Sequence, residues 1–150
     1  MRYLLLDDEV DQLDVQLAKL TEEVAPALCA LMGVGTDVAG ALLVAVGDNP
    51  ERLRTEGSFA HLCGVAPLPA SSGKTSNRHR LNRGGDRLAN CALWRIVMTR
   101  LTCHKPTQEY MARRTAEGMS KREIIRCLKR YVAREIYRSL LPAAEAAVAI

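Results

Sequence analysis

The sequence predicts an all-α fold: a helical domain with a helix-hairpin-helix, led by a long coiled-coil-like N-terminal helix and interrupted by an irregular Ser-Gly loop. Three observations predict it. Hydrophobic residues make up 48% of the 150 positions but aromatics only 4%, so the core must be built from Leu, Val, Ile and Ala, which suits packed helices better than a β sandwich. Apolar residues recur in steps of three and four along most of the chain. Capping residues stand where those periodic stretches begin.

Taken in order, residues 1–27 read as one helix. Tyr3, Leu6, Val10, Leu13, Leu17, Leu20 and Val24 follow the a/d spacing of a helix that packs along a seam, with Asp7, Asp8, Glu9, Asp11, Asp14 and Lys19 between them. About three heptads are the least that a coiled coil requires, so an amphipathic helix folded against its own domain stands as the alternative. Residues 28–47 contain Gly33, Val34 and Gly35 between two apolar helical patterns, with Ala39 and Leu42 continuing the second. The pattern is that of a helix-hairpin-helix, in which a glycine turn leaves the N–H groups of the second helix facing a DNA phosphate without reading bases. Thr36 or Asp37 is expected to cap that helix. An ordinary glycine turn between helices fits equally, and acidic Asp37 and Asp48 argue against the DNA version.

Gly47, Asp48, Asn49 and Pro50 break the helix, and Ser58 is expected to cap a short one through Cys63. Over residues 64–83, Pro67, Pro69 and Gly73 exclude a long helix, leaving an irregular loop. Basic helices are expected over 84–141. Asp86 caps the first, which carries Leu88, Leu93, Trp94, Val97 and Leu101 inward, Trp94 being simplest as a core residue. Pro106 and Thr107 open the next, which ends near Gly118. Ser120 and Glu123 form a capping box for the last. On it Arg122, Arg126, Arg130, Arg134 and Arg138 make a gently winding stripe, partly neutralised by Glu123 and Glu135, with Ile124, Ile125, Leu128, Tyr131, Val132 and Ile136 on the other side. Residues 142–150 read as a tail without chemistry.

Charge divides the chain in two. Residues 1–60 hold 4 basic and 11 acidic side chains, while 61–150 hold 17 basic and 6 acidic. A basic second half fits a polyanion partner bound in a salt-sensitive way. No apolar run reaches membrane-spanning length and the N-terminus turns acidic too soon for a secretory signal, so no membrane partner and a cytoplasmic location are expected. Cys29, Cys63, Cys91, Cys103 and Cys127 contain no CxxC pair and are expected to be reduced and mostly buried. His61 with Cys63, and Cys103 with His104, fall short of a zinc set, so no metal site is expected in this chain.

The segment GVAPLPASSGKTSNRHRLNRGGDRLANCALW, residues 64–94, joins a hydroxyl nucleophile to a row of cations. Lys74, Arg78, His79, Arg80, Arg83 and Arg87 supply donors suited to phosphate oxygens. A flexible, merely solubilising loop has the same composition. Beyond composition, Ala66-Pro67 followed by four residues and Ser72-Gly73, then LNRGGDRLANCALW and the later RRTAEGMSKREIIRCLKRYVAREIY, resembles the signature of bacterial insertion-sequence transposases of family 110 with groups 116 and 902. The likeness runs from about Leu28 to Leu141.

That resemblance implies an architecture of N-terminal DEDD domain with RNase H fold, coiled-coil linker and C-terminal transposase domain. It places a catalytic serine at Ser72, and it implies Mg2+ in the DEDD domain, a structured guide RNA and a homo-oligomer joined through the N-terminal helix. No stretch here corresponds to the DEDD domain, so the chain is expected to be the linker and C-terminal part of a DNA transposase or recombinase. Ser72 would attack a DNA phosphodiester, with Arg78, Arg80 and Arg83 on the phosphate and His79 as the nearby candidate for acid-base work. Arg122, Arg126 and Arg130 extend the phosphate-binding set. The competing reading is a non-catalytic helical nucleic-acid-binding and dimerisation module from a truncated transposase. A third is a dimerising helix with a passive basic domain.

Overall fold

The computed structural model describes residues 2–47, 50–69, 79–82 and 84–148. Their architecture is all-α apart from one small ribbon. In chain order come α1 (Arg2–Val24), α2 (Pro26–Cys29), α3 (Thr36–Val46), a 3₁₀ turn (Pro50–Leu53), α4 (Glu56–Leu62), β1 (Pro67–Pro69), β2 (His79–Leu81), α5 (Arg87–Cys103), α6 (Lys105–Ala116) and α7 (Lys121–Val148). The last helix continues through Pro142, where the sequence suggested only a tail. Among the described residues no helix is long and apolar enough to cross a membrane.

Helix α5 is the hub, packing against α3, α6 and α7. It buries Ala89, Ala92, Leu93, Ile96, Val97 and Arg100, a stripe of steps of three and one that keeps to one side of the helix. Leu28, Leu42, Phe59, Ile124 and Ile136 close the same core. Two inward assignments are overturned: Leu88 is 66% and Trp94 46% exposed. They lie off the stripe, where at the start of α5 the buried positions are taken by the small Ala89 and Ala92. Tyr131 is also exposed, with its ring edge-on to Tyr110 at 5.6 Å between centroids.

Arg100 is the charged member of the core, 7% exposed. Its Nε donates to the Met32 carbonyl at 2.7 Å and its Nη1 to Glu135 at 2.6 Å. It therefore ties the Gly33 turn to α7 through α5, and a buried guanidinium is tolerated only with such partners. Glu135 is thus engaged away from the arginine stripe. Among the described residues the carboxylate in an ion pair with the stripe is Glu56, whose Oε1 accepts from Arg134 Nε at 2.6 Å.

Caps follow local chemistry. Asp86 Oδ1 accepts from Ala89 N at 2.8 Å, and Ser120 N donates to Glu123 Oε2 at 2.9 Å in the predicted box. Gly118 ends α6 with φ +87°. Two caps differ from expectation. Thr55 rather than Ser58 caps α4, with Ser58 as the reciprocal third residue of a capping box. Gly35 precedes α3 without any side-chain cap, because Thr36 and Asp37 already lie within the first turn.

The expected irregular loop also has a regular base. Pro67, Leu68 and Pro69 pair antiparallel with Leu81, Arg80 and His79. Among the described residues each strand spans three positions, and the two prolines, without N–H groups, suit β1 to an edge. Helix α1 touches the domain near its end, where Leu17 packs on Gly40 and Thr21 is buried. The rest of its a/d row, Tyr3, Leu6, Val10, Leu13, Leu20 and Val24, is exposed.

All five cysteines are free, but only Cys63 is buried; Cys91 and Cys103 are exposed and Cys29 and Cys127 half-buried. The expectation of mostly buried thiols is therefore corrected.

Candidate functional site

Two adjoining clefts lie where the β1–β2 ribbon, the end of α4 and the start of α5 meet α7. Their common floor is a strap held by amides. Asn82 Nδ2 donates to the His61 carbonyl at 3.2 Å, Asp86 N to Leu62 O at 2.6 Å, and Asn90 Nδ2 to Cys63 O at 2.8 Å. Gly64 has φ +67°. A Cβ on Gly85 would overlap the Gly64 backbone and come within 3.0 Å of the Cys63 carbonyl carbon, so the two segments pass closer than any side chain allows. Cys63 beneath them is pushed up to about 12 by burial and then by the charge of Asp86, which makes it a packing residue rather than a nucleophile.

The first cleft, about 550 Å³, is lined by Pro67, His79 and Arg80 from the ribbon, Arg114 and Met119 from the α6 end, and Glu123, Arg126, Cys127, Lys129 and Arg130 from α7. The second, about 480 Å³, shares Gly64, Arg126 and Lys129 with it and adds Asn82, Asp86, Arg87, Asn90, Cys91 and Trp94. Cations dominate both. Arg114 pairs with Glu117, whereas among the described residues Arg80, Arg87, Arg126 and Arg130 form no ion pair. The two acids present are committed to backbone: Asp86 to the α5 cap, Glu123 to Ser120. The Ser120 bonds hold the Glu123 carboxyl below its ordinary value, helped by Arg126.

Lys129 stands at the junction of the clefts. Its Nζ donates to Asn90 Oδ1 at 2.9 Å, and its pKa is lowered by burial and by neighbouring Arg126. A half-buried ammonium beside a guanidinium is an uncompensated positive charge, and an anion in either cleft would relieve it.

Of the predicted site residues, the fold brings His79, Arg80, Arg126 and Arg130 together in the first cleft and Arg87 into the second. Arg122 is exposed on α7 but lines neither. Ser72, Lys74, Arg78 and Arg83 lie outside the described residues, as do Gly73 and Asp48. Gly33, Val34 and Gly35 line a separate hollow of about 350 Å³ with Asp37, Arg95 and Thr99. There Asp37 pairs with Arg95, an acid already neutralised at the start of α3. Sequence reasoning missed Lys129, Arg114 and Asn90. Lys129 was findable, three residues after Arg126 and therefore on the same helical face; Arg114 and Asn90 gain their roles only through the fold. Among the described residues no cluster of three or more His, Cys, Asp or Glu side chains is placed to hold a metal ion.

Known proteins bear on this arrangement. A curated relative, the insertion element IS110 uncharacterized 43.6 kDa protein of Streptomyces coelicolor, is 29% identical over 120 residues, which are 79% of this chain and 29% of that protein. The chain therefore spans less than a third of the length of that relative. The model of the IS116/IS110/IS902 transposase family matches residues 25–112, more than half of the chain and inclusive of the hairpin, the ribbon and α5, so the chain belongs to the IS116/IS110/IS902 transposase family.

Proposed function

We propose that the chain is the nucleic-acid-handling and strand-joining part of an insertion-sequence transposase, in which Ser72 attacks a DNA phosphodiester held over the first cleft. The observation that carries this reading is the pairing of Pro69 with His79. It brings together Pro69 and His79, the described residues that flank the serine segment, at the rim of a cleft in which Arg80, Arg126 and Arg130 form no ion pair among the described residues. Ser72 is three residues from Pro69, and extended chain reaches at most about 11 Å over that length.

In the reaction so proposed, the Ser72 Oγ–phosphorus bond forms as one bridging P–O bond of the DNA breaks. The serine proton passes to His79, and the departing sugar oxygen takes up a proton. The phosphodiester energy is retained in the serine ester for rejoining to another strand. Arg80, Arg126, Arg130 and Lys129 would hold the non-bridging oxygens and stabilise their charge as phosphorus becomes five-coordinate. The hairpin at Gly33–Gly35 would add a backbone contact to phosphate elsewhere on the DNA. The exposed a/d row of α1 supports pairing with a second copy as a linker coiled coil over residues 1–27, with residues 28–141 as the transposase domain. A DEDD companion with Mg2+, and a structured guide RNA, enter this proposal through the family resemblance alone.

The test is a denaturing gel of the chain after incubation with labelled DNA. Wild type is expected to give a covalent DNA adduct, and Ser72→Ala none, with salt-sensitive binding equal in the two. Absence of an adduct from wild type under conditions where DNA is bound would establish the non-catalytic binding module instead.

A further inference from the structure

We infer that the second cleft is a stacking site for one unpaired nucleobase, with the Trp94 indole as its platform and Arg87, Arg126 and Lys129 as the holders of the adjoining phosphate. This rests on the nucleic-acid reading above and names what the second cleft receives. Trp94 is the sole tryptophan of the chain, and it stands 46% exposed although burial of an indole is among the largest apolar gains a fold can make. It lines a shallow cleft of about 480 Å³ that is open to solvent, within the size range of small-ligand sites. The same walls carry Arg87 and Arg126, neither in an ion pair among the described residues, and half-buried Lys129. An aromatic face flanked by unpaired cations is the combination that binds a single nucleotide, the ring taking the base and the cations its phosphate.

The amides nearby are already used. Asn82 bridges the His61 carbonyl and Gly84 N, and Asn90 bridges the Cys63 carbonyl and Lys129. With both committed to the scaffold, the cleft has little to read base edges with, so it accepts any base. A paired base cannot enter, because its faces are covered by its neighbours in the stack. The site thus prefers a strand opened at or near the scissile phosphate.

The experiment titrates the full chain with three probes of equal length, single-stranded DNA, single-stranded RNA and blunt duplex DNA. It follows Trp94 fluorescence directly and affinity by anisotropy of the labelled probe. The account predicts quenching by an unpaired strand and little by duplex. Trp94→Ala is expected to weaken single-strand binding by about 5- to 100-fold with duplex binding and its salt dependence unchanged, while Trp94→Phe keeps most of the affinity. Quenching by DNA alone assigns a DNA strand as the occupant, and by RNA alone an RNA strand. Single-strand binding unchanged in Trp94→Ala, or single-strand and duplex binding lost together in both variants, would overturn the stacking site and leave the transposase reading intact. No binding to any of the three would overturn both.

Discussion

Gly85 shows how much of this site depends on one missing methyl group. The Gly64 backbone occupies the space where its Cβ would stand, and the hydrogen bonds from Asp86 N and Asn90 Nδ2 to the end of α4 hold that contact closed. Gly85→Ala must therefore part the strap from α4. It is expected to lower stability by about 1–3 kcal/mol, visible as a reduced urea midpoint, and to expose Cys63 to alkylation. An unchanged midpoint with Cys63 still protected would contradict the close contact. Residues with local partners were legible in the sequence: Asp86 and Ser120 cap helices because the groups they bind lie three residues away. Trp94 and Leu88 were not. Periodicity gives a face, but which arc of α5 its neighbours cover was marked by Ala89 and Ala92, small residues that a search for large apolar side chains passes over.

Among the elements, α7 shows why a repeat of like charges does not mean one function. Its arginines recur every four residues, yet the neighbouring helices divide them. Arg134 meets Glu56 on α4, whereas Arg126 and Arg130 turn into the first cleft with Lys129 beside them. Arg130→Ala is expected to reduce the slope of log affinity against log salt by about one and to weaken DNA binding irrespective of sequence. Arg134→Ala should leave that slope unchanged, because its charge is already met by a carboxylate. Equal loss in the two variants would mean that the whole stripe binds DNA. The sequence showed the stripe and not its division, since Glu56 is distant in the chain and reaches Arg134 only after α4 packs on α7. The same limit applies to the β1–β2 ribbon, whose proline-bearing first strand is stabilised by a pairing that no local signal announces.

For the molecule as a whole, the all-α class, the order of the main helices and the basic character of the second half could be read from composition and periodicity. The meeting of the ribbon, the α4–α5 strap and α7 around two connected cationic clefts could not, because it depends on contacts between segments far apart in sequence. That meeting makes a positive surface from residues which, read singly, are ordinary solvated charges. On the proposed function, Ser72 would act on a phosphate held from the α7 side. The most direct measurement traps the DNA adduct at saturating DNA, maps the modified peptide by mass spectrometry, and compares its rate of formation in wild type and Arg126→Ala. The account predicts nucleotide mass on the peptide containing Ser72 and a rate lower by on the order of 100-fold in Arg126→Ala. Adduct on another residue, or a rate indifferent to Arg126, would contradict it.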